Sequence, residues 1–402
     1  MRARIGPGVL VAAAFVGPGT VTAATLAGAE YGYVLGWGIT LSIVATIVLQ
    51  EAAARLGVGG GLGLGEALRR RVPGGLPFGA VASLVVAAIF VGNAAYEGGN
   101  LRGALLGADL LLGGGGRFDI VGVLVVAACA AGLLWTGRFA LIQGALAATV
   151  ACLAVAYLVA AAAGDIDWAA AARGLLPLRL PAGSEWSIVA LIGTTVVPYN
   201  LFLHAAAARE HYGAGGDLSA ARRDTYASVV LGGVVTLAIS LLAASSIHAA
   251  GLPRPEGAVA LAEPLAQVLG QGGHLVVGVG LLAAGVSSAI TAPLAGAYAV
   301  GGLFGWSGLG LRSGRSRIVW GAVLATGLLA ALVDVKPLAL ITLAQVANGL
   351  LLPVLAGFLL WTVNDRQLLG RHANGPVANA LGGLVVLIAL LLGARMLIGA
   401  VS

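Results

Sequence analysis

Residues 12–33 read AAAFVGPGTVTAATLAGAEYGY, a stretch apolar enough to cross a membrane that is interrupted near its middle by Gly17-Pro18-Gly19-Thr20. Proline has no backbone N–H to donate and clashes with the preceding helical turn, and glycine stabilises a helix poorly. In lipid, the backbone groups freed by such an interruption find no water to bond. The pattern therefore predicts a membrane helix whose interruption has a function, which is to expose backbone groups to a substrate at membrane depth.

The composition is that of an integral membrane protein. The chain has 402 residues, of which 59% are hydrophobic and 9% are charged, and its mean hydropathy is +0.99. A soluble domain carries about 25% charged residues, so most of this chain must face lipid or other apolar helices. Runs near the roughly 20 residues that span a bilayer predict an all-α fold with about eleven transmembrane helices, at residues 8–31, 34–54, 77–106, 118–136, 139–163, 186–208, 225–249, 272–304, 317–333, 337–361 and 377–400.

Basic residues are unevenly shared between the two sides of the membrane. With the N-terminus inside, the inner segments hold fifteen arginines and the outer loops hold five basic residues. Because positive residues accumulate on the cytoplasmic side, we predict a protein of the plasma (inner) membrane with a cytoplasmic N-terminus and an external C-terminus. The net charge of +6 then reflects topology and attraction to anionic lipid. The sequence has no stretch in which aromatic and basic residues alternate, so it gives no sign of a nucleic-acid partner.

A second interruption lies in the sixth predicted helix, which contains TTVVPYN at residues 194–200. Pro198 follows Pro18 by 180 residues, and the two broken helices stand five helices apart. Broken helices at corresponding places in two halves point to the substrate site of a secondary transporter. The alternative is that both prolines only kink packed helices. Because the offset of five helices is odd, the second half is inverted relative to the first, which predicts a 5+5 inverted repeat with the boundaries 1–163 for helices 1–5, 186–361 for helices 6–10 and 377–400 for an additional helix 11.

Four stretches carry a family resemblance. They are QEAAARLG at residues 50–57, PYNLFLH at 198–204, AGVSSAIT at 284–291 and LAQ at 343–345. In order along nearly the whole chain, these resemble motifs of the Nramp family of proton-coupled divalent metal transporters; PYNLFLH, for example, is similar to the helix-6 signature Met-Pro-His-Asn-Leu-Tyr-Leu-His. The resemblance implies a LeuT-like fold and transport by alternating access, with the substrate held at the breaks of helices 1 and 6.

The metal ligands that the family uses are only partly present. Where the helix-1 motif of the family is Asp-Pro-Gly-Asn, this chain has Gly17 in place of the carboxylate and Thr20 in place of the amide. In helix 6 the thioether position is Val197, and the histidine after the proline is Tyr199. A carboxylate offsets the cost of dehydrating a divalent cation, and a thioether selects softer transition metals. This chain has neither at those positions.

What remains is a neutral substrate-binding cup with backbone carbonyls. The resemblance implies that Gln345 matches a helix-10 residue that approaches the metal in the family. The weak metal-ligand set is then Thr20, Thr194 and Gln345. The full set of predicted substrate-binding residues is Gly17, Gly19, Thr20, Thr194, Thr195, Val197, Tyr199, Asn200 and Gln345.

Ionisable residues at membrane depth are costly, and a functional role is the default interpretation. Helix 3 carries Glu97 and Arg102 with Asn100 between them, and helix 6 carries His204. The resemblance places Glu97 and Asn100 at the acidic proton-path pair of the family, so that half of the pair is kept. We predict a proton or charge relay that uses all four residues. The alternatives are a structural Glu97–Arg102 ion pair and a packing role for His204.

These residues favour a secondary active transporter of a divalent metal cation with unusual selectivity, taken up partly hydrated. An organic solute such as an amino acid or another carboxylate is the alternative, because glycines at the helix-1 break admit a carboxylate to backbone amides and to the positive helix end. A non-transporting sensor is a third possibility. No hydrolase, metalloprotease or phosphate-loop pattern supports an enzyme or a cofactor. The predicted partners are the lipid bilayer, the small cation or organic substrate and, from the resemblance, protons; the sequence does not determine the oligomeric state.

Overall fold

The computed structural model describes residues 6–8, 16–72, 76–113, 119–136, 139–177, 179–306 and 313–401. Over these residues the chain forms helices joined by turns, without strands. A single π-helical turn, Ala244–His248, extends α10, and a 3-10 turn follows α15. In chain order the helices are α1 Pro18–Tyr31, α2 Gly36–Gly59, α3 Leu64–Arg71, α4 Leu76–Leu112, α5 Asp119–Thr136, α6 Phe139–Ala163, α7 Trp168–Gly174, α8 Glu185–Thr195, α9 Asn200–Tyr212, α10 Leu218–Ala243, α11 Ala258–Leu269, α12 Gln271–Phe304, α13 Gly314–Ala331, α14 Pro337–Val363, α15 Arg366–Leu369 and α16 Pro376–Val401.

The described part of each of the eleven predicted spans is helical, apart from the breaks and some span ends. Helices 1 to 5 are α1, α2, α4, α5 and α6; helix 6 is divided into α8 and α9; helices 7 to 11 are α10, α12, α13, α14 and α16. By length and composition, seven stretches in the described part of the chain can cross a membrane. They are Gly36–Gly59, Pro77–Leu112, Glu185–Tyr212, Leu218–His248, Gln271–Phe304, Pro337–Val363 and Pro376–Gly399.

Some of the predictions fall outside the described residues. The first half of helix 1, before its break, includes residues 9–15, and the orientation argument uses Arg2, Arg4, Arg117, Arg138 and Arg312, none of which is described.

Close backbone contacts hold the two longest helices, α4 and α12, side by side. A methyl group added at Gly107 of α4 would lie 2.6 Å from the carbonyl oxygen of Gly278, and one added at Gly285 of α12 would lie 2.5 Å from the backbone nitrogen of Ala104. Helices in lipid gain little from burying apolar surface against each other, so small residues that allow close van der Waals packing define their interfaces. This pair forms a rigid wall beside the helix-1 break, because Gly103 of α4 lies directly against the ring of Pro18.

A buried arginine ties α2 to the segment that precedes α16. The side chain of Arg55 donates to Glu51 at 3.1 Å, to the carbonyl oxygen of His372 at 2.7 Å and to Oδ1 of Asn374 at 2.7 Å. Glu51 also accepts a hydrogen bond from Arg222 at 2.8 Å, at the start of α10. A buried charge is tolerated when it is paired and fully hydrogen-bonded. The network therefore holds α2, the start of α10 and the segment before α16 together at one end of the bundle.

Candidate substrate site

The described part of helix 1 begins where the sequence predicts its break. Gly17 has an extended backbone, with φ −115° and ψ −171°, and α1 begins at Pro18, whose ring occupies the first helical turn. Proline is favoured there because the first N–H groups of a helix have no intrahelical partner. Gly19 and Thr20 follow in the same turn and are buried, as is Gly17. The positive end of α1 therefore points into the interior of the protein.

The helix-6 break separates α8 from α9. Helix α8 ends at Thr195, and α9 begins at Asn200, so Val197 and Tyr199 lie in the non-helical connection. Thr194 and Thr195 are in the last turn of α8, where carbonyl groups are left without intrahelical partners. The negative end of α8 thus meets the positive end of α1 at one place in the core, which is the arrangement of polar helix ends that transporters use to hold charged substrates.

The two breaks are joined by hydroxyl groups. Oγ1 of Thr20 and Oγ1 of Thr194 lie 2.9 Å apart in a hydrogen bond between completely buried side chains. Thr195 bonds back to the carbonyl oxygen of Leu191 at 2.8 Å and accepts from Ser42 of α2 at 3.3 Å. The structure therefore brings Thr20 and Thr194 together and turns the hydroxyl of Thr195 towards α2.

Gln345 reaches the cup from α14. Its side-chain amide lies directly against Gly19, in the space that a side chain at position 19 would fill. The glycine at the helix-1 break therefore makes room for a polar group from helix 10. Thr20, Thr194 and Gln345, the predicted ligand set, accordingly lie around one point of the fold.

Several polar atoms in this region are buried and have no hydrogen-bond partner. They include both amide atoms of Asn200 and Oε1 of Gln345, and both side chains are at most 1% exposed. Buried polar groups in folded proteins are normally satisfied, because leaving one unpaired costs roughly 1–3 kcal/mol. Unpaired polar groups at the breaks of two membrane helices therefore indicate a candidate binding site for a polar ligand.

Sequence analysis missed one member of this region, Tyr96 of α4. Its ring packs edge-on against Tyr199, with the ring centroids 5.4 Å apart, and it is completely buried. The available signal was its position beside Glu97. The two rings close one side of the cup.

Glu97 lies behind the cup on α4 and is completely buried. Its carboxylate makes no hydrogen bond of good geometry, and the neighbouring donor is the amide of Asn100, one turn further along α4. Arg102 donates instead to the carbonyl oxygens of Ala331, at 2.6 Å, and Val333, at 3.3 Å, at the end of α13. The alternative of a hydrogen-bonded Glu97–Arg102 pair is therefore wrong: Arg102 caps α13, and Glu97 is left free for another partner.

His204 of α9 belongs to a separate buried cluster. Its Nδ1 lies 2.8 Å from Oε1 of Gln50, and its Nε2 lies 3.4 Å from the hydroxyl of Thr225. The cluster joins α2, α9 and α10 on the side of α9 away from α8. Gln50 and Thr225 were not identified as partners of His204 from sequence, because only the packing of three helices brings them together.

The cup differs from a conventional metal centre in its donors. In the described part of the chain, no group of three histidine, cysteine or carboxylate side chains is placed to hold a metal ion. The polar atoms at the breaks are hydroxyls, amides and carbonyls, all of them neutral. Such oxygens suit hard cations and hydrogen-bonding solutes, and they do not select soft transition metals.

Within the described residues, the start of α1 at Pro18 faces the break between α8 and α9 in an all-helical bundle, which is the arrangement of the LeuT-like fold. Solved structures share it. A mutant form of the manganese transporter of Eremococcus coleocola superposes with a TM-score of 0.77 at 21% identity, covering 97% of this chain and 85% of that one. MhsT in complex with L-phenylalanine superposes with a TM-score of 0.64 at 13% identity, covering 98% and 99%.

The sequence comparison gives the family. The model of the natural resistance-associated macrophage protein-like (Nramp) family matches residues 8–399. The divalent metal cation transporter MntH of Acidiphilium cryptum is 30% identical over 401 residues, which cover 96% of this chain and 88% of that protein. The chain belongs to the Nramp family, which confirms the predicted resemblance, the all-α integral membrane fold and the expectation of a transporter in place of an enzyme.

Proposed function

We propose that this chain is a secondary active transporter that binds a divalent metal cation in the cup, with part of its water shell retained, and moves it by alternating access. The similar proteins named as divalent metal cation transporters support the metal. The observation that carries the retained water is the pair of buried acceptor oxygens without partners, on Asn200 and Gln345. Water bound to a divalent cation is a strong hydrogen-bond donor and needs such acceptors.

The neutrality of the cup explains why the water must stay. The free energy needed to dehydrate a divalent cation is far larger than the free energy gained from neutral oxygen ligands. A fully dehydrated ion therefore needs a carboxylate among its ligands. At the helix-1 break that position is Gly17. Small hard cations such as magnesium dehydrate reluctantly and are commonly held through their waters, and they fit this donor set best.

An organic carboxylate remains the second candidate, because the glycines at the helix-1 break leave backbone amides open to it. Two contacts speak against it. The amide of Gln345 fills the space beside Gly19, and the hydroxyls of Thr20 and Thr194 bond directly across the cup. These contacts make a compact site with converging oxygens, which suits an ion better than an amino acid.

The remaining parts of the proposal concern topology. The chain lies in the plasma (inner) membrane with its N-terminus in the cytoplasm and its C-terminus outside, in line with the distribution of arginines. Residues 1–163 and 186–361 are the two inverted repeats, and 377–400 is the additional helix. The opposed ends of α1 and α8 support this division, since each comes from the first helix of one repeat.

Protons are proposed as the coupling ion, with Glu97 as the group that exchanges them. Its carboxylate is buried at membrane depth without a hydrogen bond of good geometry, and intramembrane carboxylates mark proton pathways. Asn100 and Arg102 shape its surroundings, and His204 offers a second exchangeable site.

In proteoliposomes, Glu97→Gln is expected to remove the dependence of metal uptake on external pH. Glu256→Gln, at a carboxylate 68% exposed, is the matched control and should keep it. Unchanged pH dependence in the Glu97 variant would show that the relay is elsewhere.

The substrate is tested by isothermal titration of the purified protein with manganese, cadmium, magnesium and calcium. The native protein is expected to bind magnesium or manganese, and Thr20→Val is expected to abolish the heat. Gly17→Asp, which restores the missing carboxylate, should tighten binding of all four ions because ligand charge raises divalent affinity. Binding that appears only in the Gly17→Asp variant would mean that the scaffold serves another solute.

A further inference from the structure

A cavity of about 450 Å³ opens on the face of the bundle that the predicted orientation places outside, well away from the cup. Its walls come from the turn between α1 and α2, from α7 and the segment after it, and from the end of helix 7. The volume lies in the range of small-molecule binding sites, which is about 300–1,000 Å³. We call it the Arg173–Arg179 cavity after the two arginines that line it.

These two arginines differ from the other described basic residues on this face. Arg254 pairs with Glu30 at 2.9 Å, Lys336 with Glu256 at 3.0 Å and Arg395 with Glu185 at 2.9 Å. Arg173 and Arg179 pair with no carboxylate in the described part of the chain, and no described carboxylate lines the cavity. Arg173 and Arg179 are therefore the two arginines of this face that no ion pair within the described residues neutralises, and both line one opening.

Hydrogen-bonding groups and apolar surface complete the walls. The imidazole of His248 and the phenol groups of Tyr31 and Tyr33 line the cavity together with Val34 and Leu176. The hydroxyl of Tyr31 donates to the carbonyl oxygen of Gly183 at 3.1 Å, which fixes its ring in place. A ligand that fits here has an anionic part for the arginines and an apolar part for the aromatic and aliphatic walls.

The position of α7 indicates where such a ligand comes from. Trp168 at its start is 59% exposed, and Leu175 and Leu176 at its end are 39% and 54% exposed. Exposed tryptophan and leucine beside arginine are typical of segments that lie at the membrane interface, with apolar side chains towards the acyl chains and cations at the level of the headgroups. The cavity then opens at the depth of lipid phosphates.

We propose that the Arg173–Arg179 cavity binds the phosphodiester headgroup of an anionic membrane lipid. The guanidinium groups hold the phosphate oxygens, for which arginine has a matching planar fork of donors. The first acyl carbons of the lipid lie along Leu176 and the tyrosine rings.

The test is native mass spectrometry of the full-length protein in detergent, titrated with phosphatidylglycerol or with phosphatidylcholine of the same acyl chains. The native protein is expected to retain phosphatidylglycerol in preference to phosphatidylcholine. Arg173→Gln/Arg179→Gln is expected to weaken phosphatidylglycerol binding about thirtyfold, since each basic residue near an anionic lipid contributes roughly a fivefold factor. The control Arg254→Gln/Lys336→Gln removes the same charge from the same face and is expected to change binding less than about twofold.

Three results would overturn the proposal. One is equal loss in both double variants, which would mean general surface attraction. Another is equal binding of the two lipids. The third is displacement of phosphatidylglycerol by millimolar inorganic phosphate, which would mean that a soluble anion is the ligand. If the double variant does not fold, Arg179→Gln replaces it, because this side chain makes no hydrogen bond with the described residues; it is expected to weaken binding about fivefold. Binding is measured without transport, so the result is independent of the proposed substrate.

Discussion

Gly349→Ala is expected to abolish transport and to lower the stability of the protein, although it adds a single methyl group. Gly349 of α14 lies against the backbone of α8, and a methyl group there would be 2.5 Å from the carbonyl oxygen of Val189. Gly193 of α8 lies against the backbone of Gln345 in the same contact. The atoms in contact belong to the backbones of both helices and cannot rotate away as a flexible side chain would. The added methyl group must therefore push α8 and α14 apart. Overpacking of this kind costs about 1–3 kcal/mol.

The loss of transport follows from what this contact positions. One helix carries Thr194 and the other carries Gln345, so separating them opens the cup between its two sides. We expect uptake of metal by proteoliposomes to fall more than tenfold and the thermal midpoint of the purified protein to fall. Gly357→Ala is the matched control on α14, because a methyl group at Gly357 meets nothing within 4 Å. Alanine favours helix over glycine, so this variant should transport normally. Equal effects of the two substitutions would show that the close approach of α8 and α14 is not needed.

The fold could be predicted from the sequence because its strongest constraints are local. Apolar runs of bilayer length mark the helices, and Pro18 and Pro198 mark the breaks, since proline removes a donor wherever it stands. The structure has α1 beginning at Pro18 and the helix-6 connection around Pro198. The positions of these two prolines in the first and the sixth apolar run were enough to predict that both helices are interrupted and where.

The contents of the site could be predicted only in part, because they depend on which helices meet. That Gln345 fills the space beside Gly19 is a contact between residues more than 300 positions apart. Because Arg102 lies five residues from Glu97, the sequence suggested an ion pair between them. In the structure Arg102 donates hydrogen bonds to carbonyl groups at the end of α13. A guanidinium has five donors and can satisfy several helix-end carbonyls at once, which a sequence-local pairing rule does not consider.

Gln345→Glu is expected to raise the affinity for divalent cations by about tenfold or more, because it places a full negative charge in the cup. The substitution keeps the length and shape of the side chain, so the packing against Gly19 is preserved. The substitution replaces Nε2, the atom that lies against Gly19, with an oxygen, and it keeps Oε1, which has no hydrogen-bond partner. Gln345→Leu, which removes the oxygen and keeps most of the volume, is expected to abolish binding. Isothermal titration with magnesium and manganese measures both variants.

The sign of the effect of Gln345→Glu separates the two candidate substrates. A cation is attracted to the new charge, whereas a substrate carboxylate at the helix-1 break is repelled by it, since Gly19 and the amide of Gln345 are in direct contact. Metal binding strengthened by glutamate and lost with leucine is the result that a transporter of hydrated divalent ions requires. If glutamate and leucine both leave metal binding unaffected, the ion is not held beside Gln345. In that case the unpartnered oxygens of the cup serve another solute, and the amides exposed at Gly17 and Gly19 become the place where its carboxylate binds.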